Sequence, residues 1–206
     1  MEIMNQLENL KKIAKTKLAK NDPAHDFEHV MRVYRNAEKI CKTENGNKKL
    51  ILSAVLLHDI IKTKNRKDSS LKSAKLSEKI LKENNFHDDE IKIISNAIKQ
   101  HSFSKGKIPS TIEGKILQDS DRLDAIGAIG LARVFSFSGS NNRPFYDPND
   151  PFSKNRVLND NRWALDHFYE KLLTLEKKMN TKTGKNLAKK RTKILKNFLK
   201  EIKNEI

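Results

Sequence analysis

Two histidines and one aspartate lie where the sequence otherwise predicts buried apolar side chains. His29 shares a predicted helical face with valine, alanine and isoleucine residues. His58 and Asp59 are adjacent in AVLLHDIIK, within the most apolar predicted helix of the chain. Burying an ionised carboxylate is costly unless it is paired or binds a metal. The pattern therefore indicates either a metal site or a buried ion pair of Asp59 with an arginine such as Arg32 or Arg122.

A second polar cluster lies in LQDSDRLDAIGAIG, where Asp119, Asp121 and Asp124 interrupt an apolar predicted helix. Carboxylates at this density repel one another unless positive charge lies among them. Imidazole and carboxylate ligands suit Mn, Fe, Ni, Co, Zn or Mg better than a thiolate-binding metal. Ligands from several helices would also leave coordination positions for water and substrate, as a catalytic site requires.

The segment AHDFEHVMRV raises the alternative of a zinc-protease helix, because His25 and His29 are four residues apart. That helix needs the pattern H-E-x-x-H, with glutamate directly after the first histidine as general base. Asp26 occupies this place instead. We therefore expect His25 and Asp26 to lie at the helix start or the pocket mouth, outside the ligand set.

The order of these residues, a histidine, then an adjacent His-Asp pair, then a later aspartate, resembles the HD-domain metal-dependent phosphohydrolases. The segments AHDFEHVMRV, AVLLHDI, HSFSKG, QDSDRLDAIGAIGLARVF and HFYEKLLTLEKKMNT extend the resemblance over roughly residues 22–204. They are similar to small bacterial and archaeal HD hydrolases, some of which cleave nucleoside triphosphates to monophosphate and pyrophosphate. The resemblance implies an all-α, single-domain HD-type helical bundle.

Carried over residue by residue, the resemblance implies one divalent metal ion, with Mn as the first expectation and Mg, Ni, Co, Fe or Zn as alternatives. The implied metal ligands are His29, His58, Asp59 and Asp121. Asp119 and Asp124 are then expected near the metal but outside the ligand set, where Asp124 could orient a water or a ligand.

The implied reaction is hydrolysis of a nucleotide, with (d)NTP cleavage to (d)NMP and pyrophosphate as the first expectation. Phosphates are held by basic side chains near the metal. The residues predicted for substrate binding are Arg32, Lys62 and Lys64, with local ion pairs as the alternative for Arg32 and Lys62. The predicted catalytic residues are Asp59, Asp124 and His101, and the general base stays open between the last two.

Two differences from related HD enzymes narrow the range of expected substrates. HD-class alarmone hydrolases carry a Glu-Asp pair after the His-Asp doublet, whereas this chain has Lys62 and Thr63 there. The Gly-Tyr-Pro block of cyclic-dinucleotide phosphodiesterases is also absent from the sequence. Both substrate classes are therefore disfavoured.

The composition favours helices and a soluble protein. The chain has 206 residues but only 7 glycines and 5 prolines, and it shows no strand-like alternation. Cys41 is the single cysteine, which excludes an internal disulfide. We see no apolar signal region in MEIMNQLENLKKIAK and no apolar run long enough to span a bilayer. A cytoplasmic protein without membrane contact is expected.

Helical periodicity predicts one domain over residues 1–206, with its core motifs at 25–135. The predicted helices cover about 2–20, 26–42, 49–61, 68–83, 88–101, 111–136 as one helix or two, 162–179 and 185–203, the last two lying within the C-terminal helical segment 162–204. Residues 136–161 are predicted to form a long irregular loop and a candidate lid over the substrate.

The net charge of +16 supports a competing hypothesis. A basic chain could bind nucleic acid, or it could sense a nucleotide on a non-catalytic HD scaffold. No nucleic-acid-binding motif is evident, so a small phosphate ester is the favoured partner and nucleic acid the less favoured one. The lysines of the last helix are expected to form a solvated face, with a binding surface as the alternative. The sequence leaves monomer and homodimer open.

Overall fold

The computed structural model describes residues 2–19, 26–61, 63, 66–102 and 107–206, and within these ranges it contains helices and no strand. The all-α prediction is confirmed. No helix in the described part of the chain is long and apolar enough to cross a membrane. The helices are α1 (Glu2–Leu18), α2 (Phe27–Cys41), α3 (Lys48–Leu57), α4 (Arg66–Glu83), α5 (Asp88–Gln100), α6 (Ile112–Asp124), α7 (Gly127–Ser140), α8 (Ala164–Glu170) and α9 (Lys182–Glu205).

The chain divides into two compact units, Met1–Asp121 and Arg122–Ile206. The first unit contains α1 to α5 and most of α6. Every residue of α3 from Leu50 to Leu57 is buried, and α3 packs against α1, α2 and α5. Burial on all sides is what the apolar sequence of this helix predicts. The single domain over residues 1–206 stays a prediction.

The ends of α2 and α3 place the residues of interest. Asp26 caps α2, because its carboxylate accepts a hydrogen bond from the backbone N–H of His29 at 2.8 Å. Helix α3 ends at Leu57, earlier than the predicted residue 61, and His58 takes the C-cap position. Ile60, in the turn that follows the helix, is also buried, so the buried apolar segment extends beyond the end of α3. His58 and Asp59 therefore lie directly after the C-terminal end of a buried helix.

The second unit is built around four phenylalanines. The ring of Phe135 on α7 lies 4.9 Å from that of Phe145, 6.1 Å from that of Phe168 on α8 and 5.6 Å from that of Phe198 on α9, measured between centroids. Aromatic pairs at these separations stabilise a core beyond their buried area. This cluster holds the three helices of the unit together.

A glycine separates α6 from α7, so the predicted segment 111–136 forms two helices. Gly127 has φ +80°, a left-handed conformation that side chains with a Cβ rarely adopt. A Cβ at this position would also lie 3.1 to 3.4 Å from side-chain carbons of Arg191. Both the turn and the close approach of Arg191 therefore require glycine.

The irregular loop begins at residue 141, five residues later than predicted, because α7 continues through the sequence FSFSGS to Ser140. Ser138 is buried and donates to the backbone carbonyl of Val134 at 2.7 Å. Its hydroxyl also accepts from the Nη2 of Arg143 at 2.7 Å. Residues 136–140 fall within the predicted loop, but packing of this segment keeps it helical.

Two other boundaries differ from prediction. The segment 162–179 is not one helix: α8 ends at Glu170 and is followed by the short 3₁₀ turns Leu172–Thr174 and Glu176–Lys178. The backbone of Lys171, with φ −126°, leaves the α-helical region and ends α8. Helix α4 starts at Arg66, two residues before the predicted start at residue 68.

Candidate metal centre

Four elements of the first unit bring three histidines and two aspartates together. His29 lies in the first turn of α2, His58 and Asp59 follow α3, His101 caps the end of α5, and Asp121 lies on α6. The histidine side chains are almost fully buried, whereas those of Asp59 and Asp121 are 25% and 28% exposed. The cluster is therefore buried on its imidazole side and open on its carboxylate side.

The cluster contains two overlapping groups of potential ligands. His29, His58 and Asp121 form the first group, and His58, Asp59 and His101 form the second; within each group the ligand atoms lie within 4.8 Å of one another. The first group holds three of the four predicted ligands. The fourth, Asp59, stands beside His58 in the second group. His101, predicted only as a catalytic group, lies at ligand distance.

The closest approaches join imidazole nitrogens to carboxylate oxygens. His29 Nε2 lies 3.6 Å from Asp121 Oδ1, His58 Nε2 lies 3.8 Å from Asp59 Oδ2, and His101 Nε2 lies 3.7 Å from Asp59 Oδ1. These distances are too long for hydrogen bonds. Two ligands of one small cation are instead expected to be separated by roughly this distance, given metal–ligand bonds of about 2.0–2.2 Å.

Backbone carbonyls set the orientation of two rings. The Nδ1 of His58 donates to the carbonyl oxygen of Val55 at 2.7 Å, and the Nδ1 of His101 donates to that of Ile98 at 2.6 Å. A carbonyl oxygen can only accept, so each neutral ring carries its proton on Nδ1 and a lone pair on Nε2. This is the tautomer that a metal-binding histidine uses.

His58 Nε2 is a buried polar atom that no hydrogen bond satisfies among the described residues. Leaving a buried nitrogen unsatisfied costs about 1–3 kcal/mol, so its persistence requires an explanation. A divalent cation bound by histidine nitrogens and carboxylate oxygens supplies one, and the donor set suits a hard to borderline metal. The residues present therefore fit a metal ion.

The electrostatics favour the metal-binding protonation states of the central pair. Burial lowers the pKa of His58, which favours the neutral imidazole. Burial opposes ionisation of Asp59, but the neighbouring His58 and His101 outweigh it and hold the pKa of that carboxyl well below its usual range. For His101, burial lowers the pKa and the Asp59 carboxylate raises it, with a net increase.

The alternative of a buried ion pair with arginine is wrong. Among the residues that the structure describes, the groups paired with Asp59 are the imidazoles of His58 and His101. Arg122 donates to the carbonyl oxygen of Lys178. In the described part of the chain, Asp59 is therefore not paired with a guanidinium group.

Buried amides connect the helices that carry the site. Asn36 on α2 donates to the carbonyl oxygen of Ser120 on α6 at 3.1 Å, which links the helices of His29 and Asp121. Gln118, fully buried on α6, donates to the carbonyl oxygen of His101 at 3.2 Å. These bonds fix the positions of ligands that belong to separate helices.

The other predicted site residues have different surroundings. Arg32 is half-buried on α2, one turn after His29. Lys62, Lys64 and His25 lie outside the described residues, so their predicted roles stay predictions. Asp119 is fully buried on α6.

Asp124, which the sequence analysis offers beside His101 as the general base, is buried in the second unit. Its carboxylate accepts from the Nη1 of Arg133 at 2.8 Å, and the same nitrogen approaches its backbone carbonyl at 3.3 Å. An arginine-paired carboxylate is a common structural device. The role of Asp124 as a base stays a prediction.

Sequence reasoning missed His101 as a potential ligand. A weak signal was present, because His101 follows the amphipathic helix α5 as His58 follows the apolar helix α3, and both histidines take the C-cap position. That repeated placement of a histidine at a helix end could have paired the two residues.

Comparison with known proteins gives consistent matches. Residues 26–126 match the family model described as "HD domain". The chain is 32% identical over 209 residues to the uncharacterized protein YpgQ of Bacillus subtilis, covering 100% of this chain and 96% of that protein. It is similar to the crystal structure of B. subtilis YpgQ in complex with ADP, with TM-score 0.80, 29% identity and coverage of 100% and 97%. A crystal structure of an HD-superfamily hydrolase from Bacillus thuringiensis matches with TM-score 0.79, 32% identity and coverage of 98% and 97%.

Proposed function

The chain belongs to the HD-domain family of metal-dependent phosphohydrolases, and from that premise we propose that it hydrolyses nucleoside triphosphates, ribo or deoxy, to the monophosphate and pyrophosphate. We further propose Mn²⁺ as the metal and His29, His58, Asp59 and Asp121 as its ligands. One observation carries the proposal. The two groups of potential ligands share His58, and the Nε2 of His58 is buried without a hydrogen-bond partner among the described residues.

Phosphoester hydrolysis requires neutralised phosphoryl oxygens and an activated water. A bound divalent cation supplies both by Lewis-acid polarisation and by lowering the pKa of coordinated water. The chain's contribution is to fix the geometry. Helices α2, α3 and α6 hold imidazoles and carboxylates rigidly, and the buried histidine side excludes water from behind the site.

His101 and Arg32 are assigned to the phosphate groups of the substrate. His101 Nε2 faces the carboxylate of Asp59, which favours the protonated ring. As an imidazolium His101 carries a proton on Nε2, and we assign it to donating a hydrogen bond to a phosphoryl oxygen or to an acidic role at the leaving group. Arg32 lies one turn from His29, and its planar guanidinium group suits bidentate binding of a second phosphate. Lys62 and Lys64 directly follow Asp59 along the chain and are assigned to the remaining phosphates.

The nucleotide substrate is supported by the ADP complex of B. subtilis YpgQ, which covers the whole length of this chain. The absence of the alarmone and cyclic-dinucleotide signatures from the sequence also favours mononucleotides. We infer a cytoplasmic enzyme that acts on a free small molecule, either as a monomer or as a homodimer.

The test is hydrolysis of a panel of NTPs and dNTPs with added Mn²⁺, with pyrophosphate and phosphate resolved as products. The variant is Asp59→Ala, and the matched control is Asp89→Ala, because Asp89 is an exposed carboxylate in the first turn of α5. We expect pyrophosphate from the wild type and the control and none from Asp59→Ala.

Release of phosphate instead of pyrophosphate would overturn the proposed bond cleavage while keeping the site. Nucleotide binding without turnover would support a nucleotide-sensing protein on a non-catalytic HD scaffold. Equal turnover by Asp59→Ala and the wild type would remove the proposed site from catalysis.

A further inference from the structure

Six lysines on one side of α9 form a continuous row, called here the lysine stripe. They recur every three or four residues, and all are exposed. At about 100° and 1.5 Å per residue, they fall within an arc of about 80° and extend over about 27 Å. They are Lys185, Lys189, Lys193, Lys196, Lys200 and Lys203.

The lysine stripe is not neutralised by the protein itself. Within the described ranges, none of its six lysines forms an ion pair, whereas Lys11 pairs with Glu8 at 2.6 Å and Lys49 pairs with Glu90 at 2.8 Å. Helix α9 contains only two acidic residues, Glu201 and Glu205. Like charges one turn apart on a helix repel one another. A polyanion laid along the stripe would remove that repulsion.

The surroundings of the stripe do not suit a membrane or stacked bases. Ile194 is the one exposed large apolar side chain of α9, and Ile206 directly after the helix is another, too few to insert into a bilayer. Phe198, the aromatic residue of the helix, packs against Phe135 and Phe168 in the interior. It is therefore not available as a platform for single-stranded bases, which require exposed aromatic rings.

We propose that the lysine stripe binds double-stranded nucleic acid through its phosphates, independently of sequence. A straight row of ammonium groups matches the regular charge of a duplex backbone, and lysine contacts to phosphate carry no base specificity. The stripe is long enough to follow about eight base pairs at about 3.4 Å per base pair. This surface belongs to the second unit and shares no residue with the proposed metal centre.

The test is fluorescence anisotropy of the full chain with a labelled mixed-sequence DNA duplex of about 20 base pairs, titrated between about 50 and 200 mM salt. The stripe variant combines Lys185→Gln, Lys189→Gln, Lys193→Gln and Lys196→Gln. The matched control removes the same charge from exposed, unpaired lysines elsewhere, by Lys12→Gln, Lys39→Gln, Lys75→Gln and Lys92→Gln. Glutamine keeps the helix propensity close to that of lysine, and circular dichroism checks the fold.

We expect the stripe variant to bind at least about tenfold more weakly at low salt. If all four lysines contact phosphates, the slope of log affinity against log salt should fall by about 3.6, at 0.9 per contact. The control should change affinity much less. Three results would overturn the proposal: no duplex binding by the wild type, equal losses in both variants, or stripe-dependent binding to phosphatidylserine vesicles without duplex binding. Hydrolysis of nucleotides is measured separately, so neither proposal depends on the other.

Discussion

Asp59 and Asp166 are both carboxylates withdrawn from solvent, but their surroundings differ. Asp166, in the second unit, is 1% exposed and accepts two bonds from Arg156, at 2.6 and 2.8 Å. It also accepts from the backbone N–H of Asn159 at 2.7 Å and the hydroxyl of Ser153 at 3.2 Å. Asp59, in the first unit, is 25% exposed and has two imidazoles nearby, at 3.7 and 3.8 Å.

The difference separates a structural carboxylate from a candidate ligand. All the donors to Asp166 come from one loop, through Ser153, Arg156 and Asn159, so its negative charge is used to hold the segment 141–163 in place. The neighbours of Asp59 are too far for hydrogen bonds and direct their own Nε2 atoms at the same region. A buried polar cluster that stays incompletely satisfied is expected to have a functional reason.

The largest expected effect is the loss of metal and of hydrolysis when the cluster around Asp59 is disrupted. In His58→Ala, Mn-supplemented nucleotide hydrolysis should fall by at least about 10³-fold, because loss of groups outside the ligand set already costs about 10–100-fold. The copurified or titrated metal, measured by mass spectrometry, should be lost as well. Chelation of the wild type should stop hydrolysis in the same way. Full metal content in His58→Ala would contradict the assignment of this residue.

The next largest expected effect is a loss of stability when the carboxylate of Asp166 is removed. In Asp166→Ala, the free energy of unfolding should fall by about 2–4 kcal/mol, because Arg156 keeps its charge without its partner and the loop N–H of Asn159 loses its acceptor. Chemical denaturation measures this change. Metal content should not change, and a loss of metal as large as that in His58→Ala would remove the distinction between the two carboxylates.

A smaller effect concerns a residue that positions the site. Gln118→Leu removes the bond to the carbonyl oxygen of His101 and should lower kcat/KM by about tenfold or more. Gln6→Leu is the matched control, because Gln6 is also a buried glutamine that donates to two backbone carbonyls, those of Asn84 and Asn85. Both variants should lose similar stability in thermal denaturation. Equal kcat/KM in the two variants would show that Gln118 is not a positioning residue.

The smallest effect is the pH dependence of the Asp166 contribution. Burial raises the pKa of Asp166, but the Arg156 guanidinium and the Asn159 N–H outweigh it and hold that pKa below its usual value. A depressed pKa in the folded state stabilises the protein above the unfolded pKa of about 3.9, and this stabilisation is lost as pH falls through the folded value.

The difference in unfolding free energy between the wild type and Asp166→Asn should therefore be constant near neutral pH. It should shrink as the pH falls below about 4. Denaturation at several pH values measures this difference. A difference that grows on acidification would contradict a lowered pKa of Asp166 in the folded protein.

Sequence reasoning located the candidate ligands better than it located their neighbours. His29, His58, Asp59 and Asp121 stood out because each is a polar residue in an apolar segment, and the structure brings all four into one cluster. The pairing of Asp166 with this loop had no such signal, because DPNDPFSKNR, which supplies Ser153 and Arg156, contains many polar residues and any of them could have been solvated. Local composition cannot tell which polar group a folded loop will bury.

The lid prediction illustrates the same limit. Composition and length predicted an irregular segment at 136–161, and most of that segment is irregular. The internal bonds of Arg156, Asp150 and Asp166 are tertiary features that hold it in a defined conformation. Its role as a lid stays a prediction, and protection from proteolysis by nucleotide and metal would test it.

The amino-acid sequence by itself determined the helical class, the order of the candidate metal-binding residue types and the buried character of α3, because these depend on residue type and spacing along one chain. The tertiary structure decided that α3 stops at Leu57, that His101 faces Asp59, and that Asp124 is held by Arg133. These features depend on contacts between residues distant in sequence or on packing at a helix end. Residue type and spacing restrict such contacts but do not select among them.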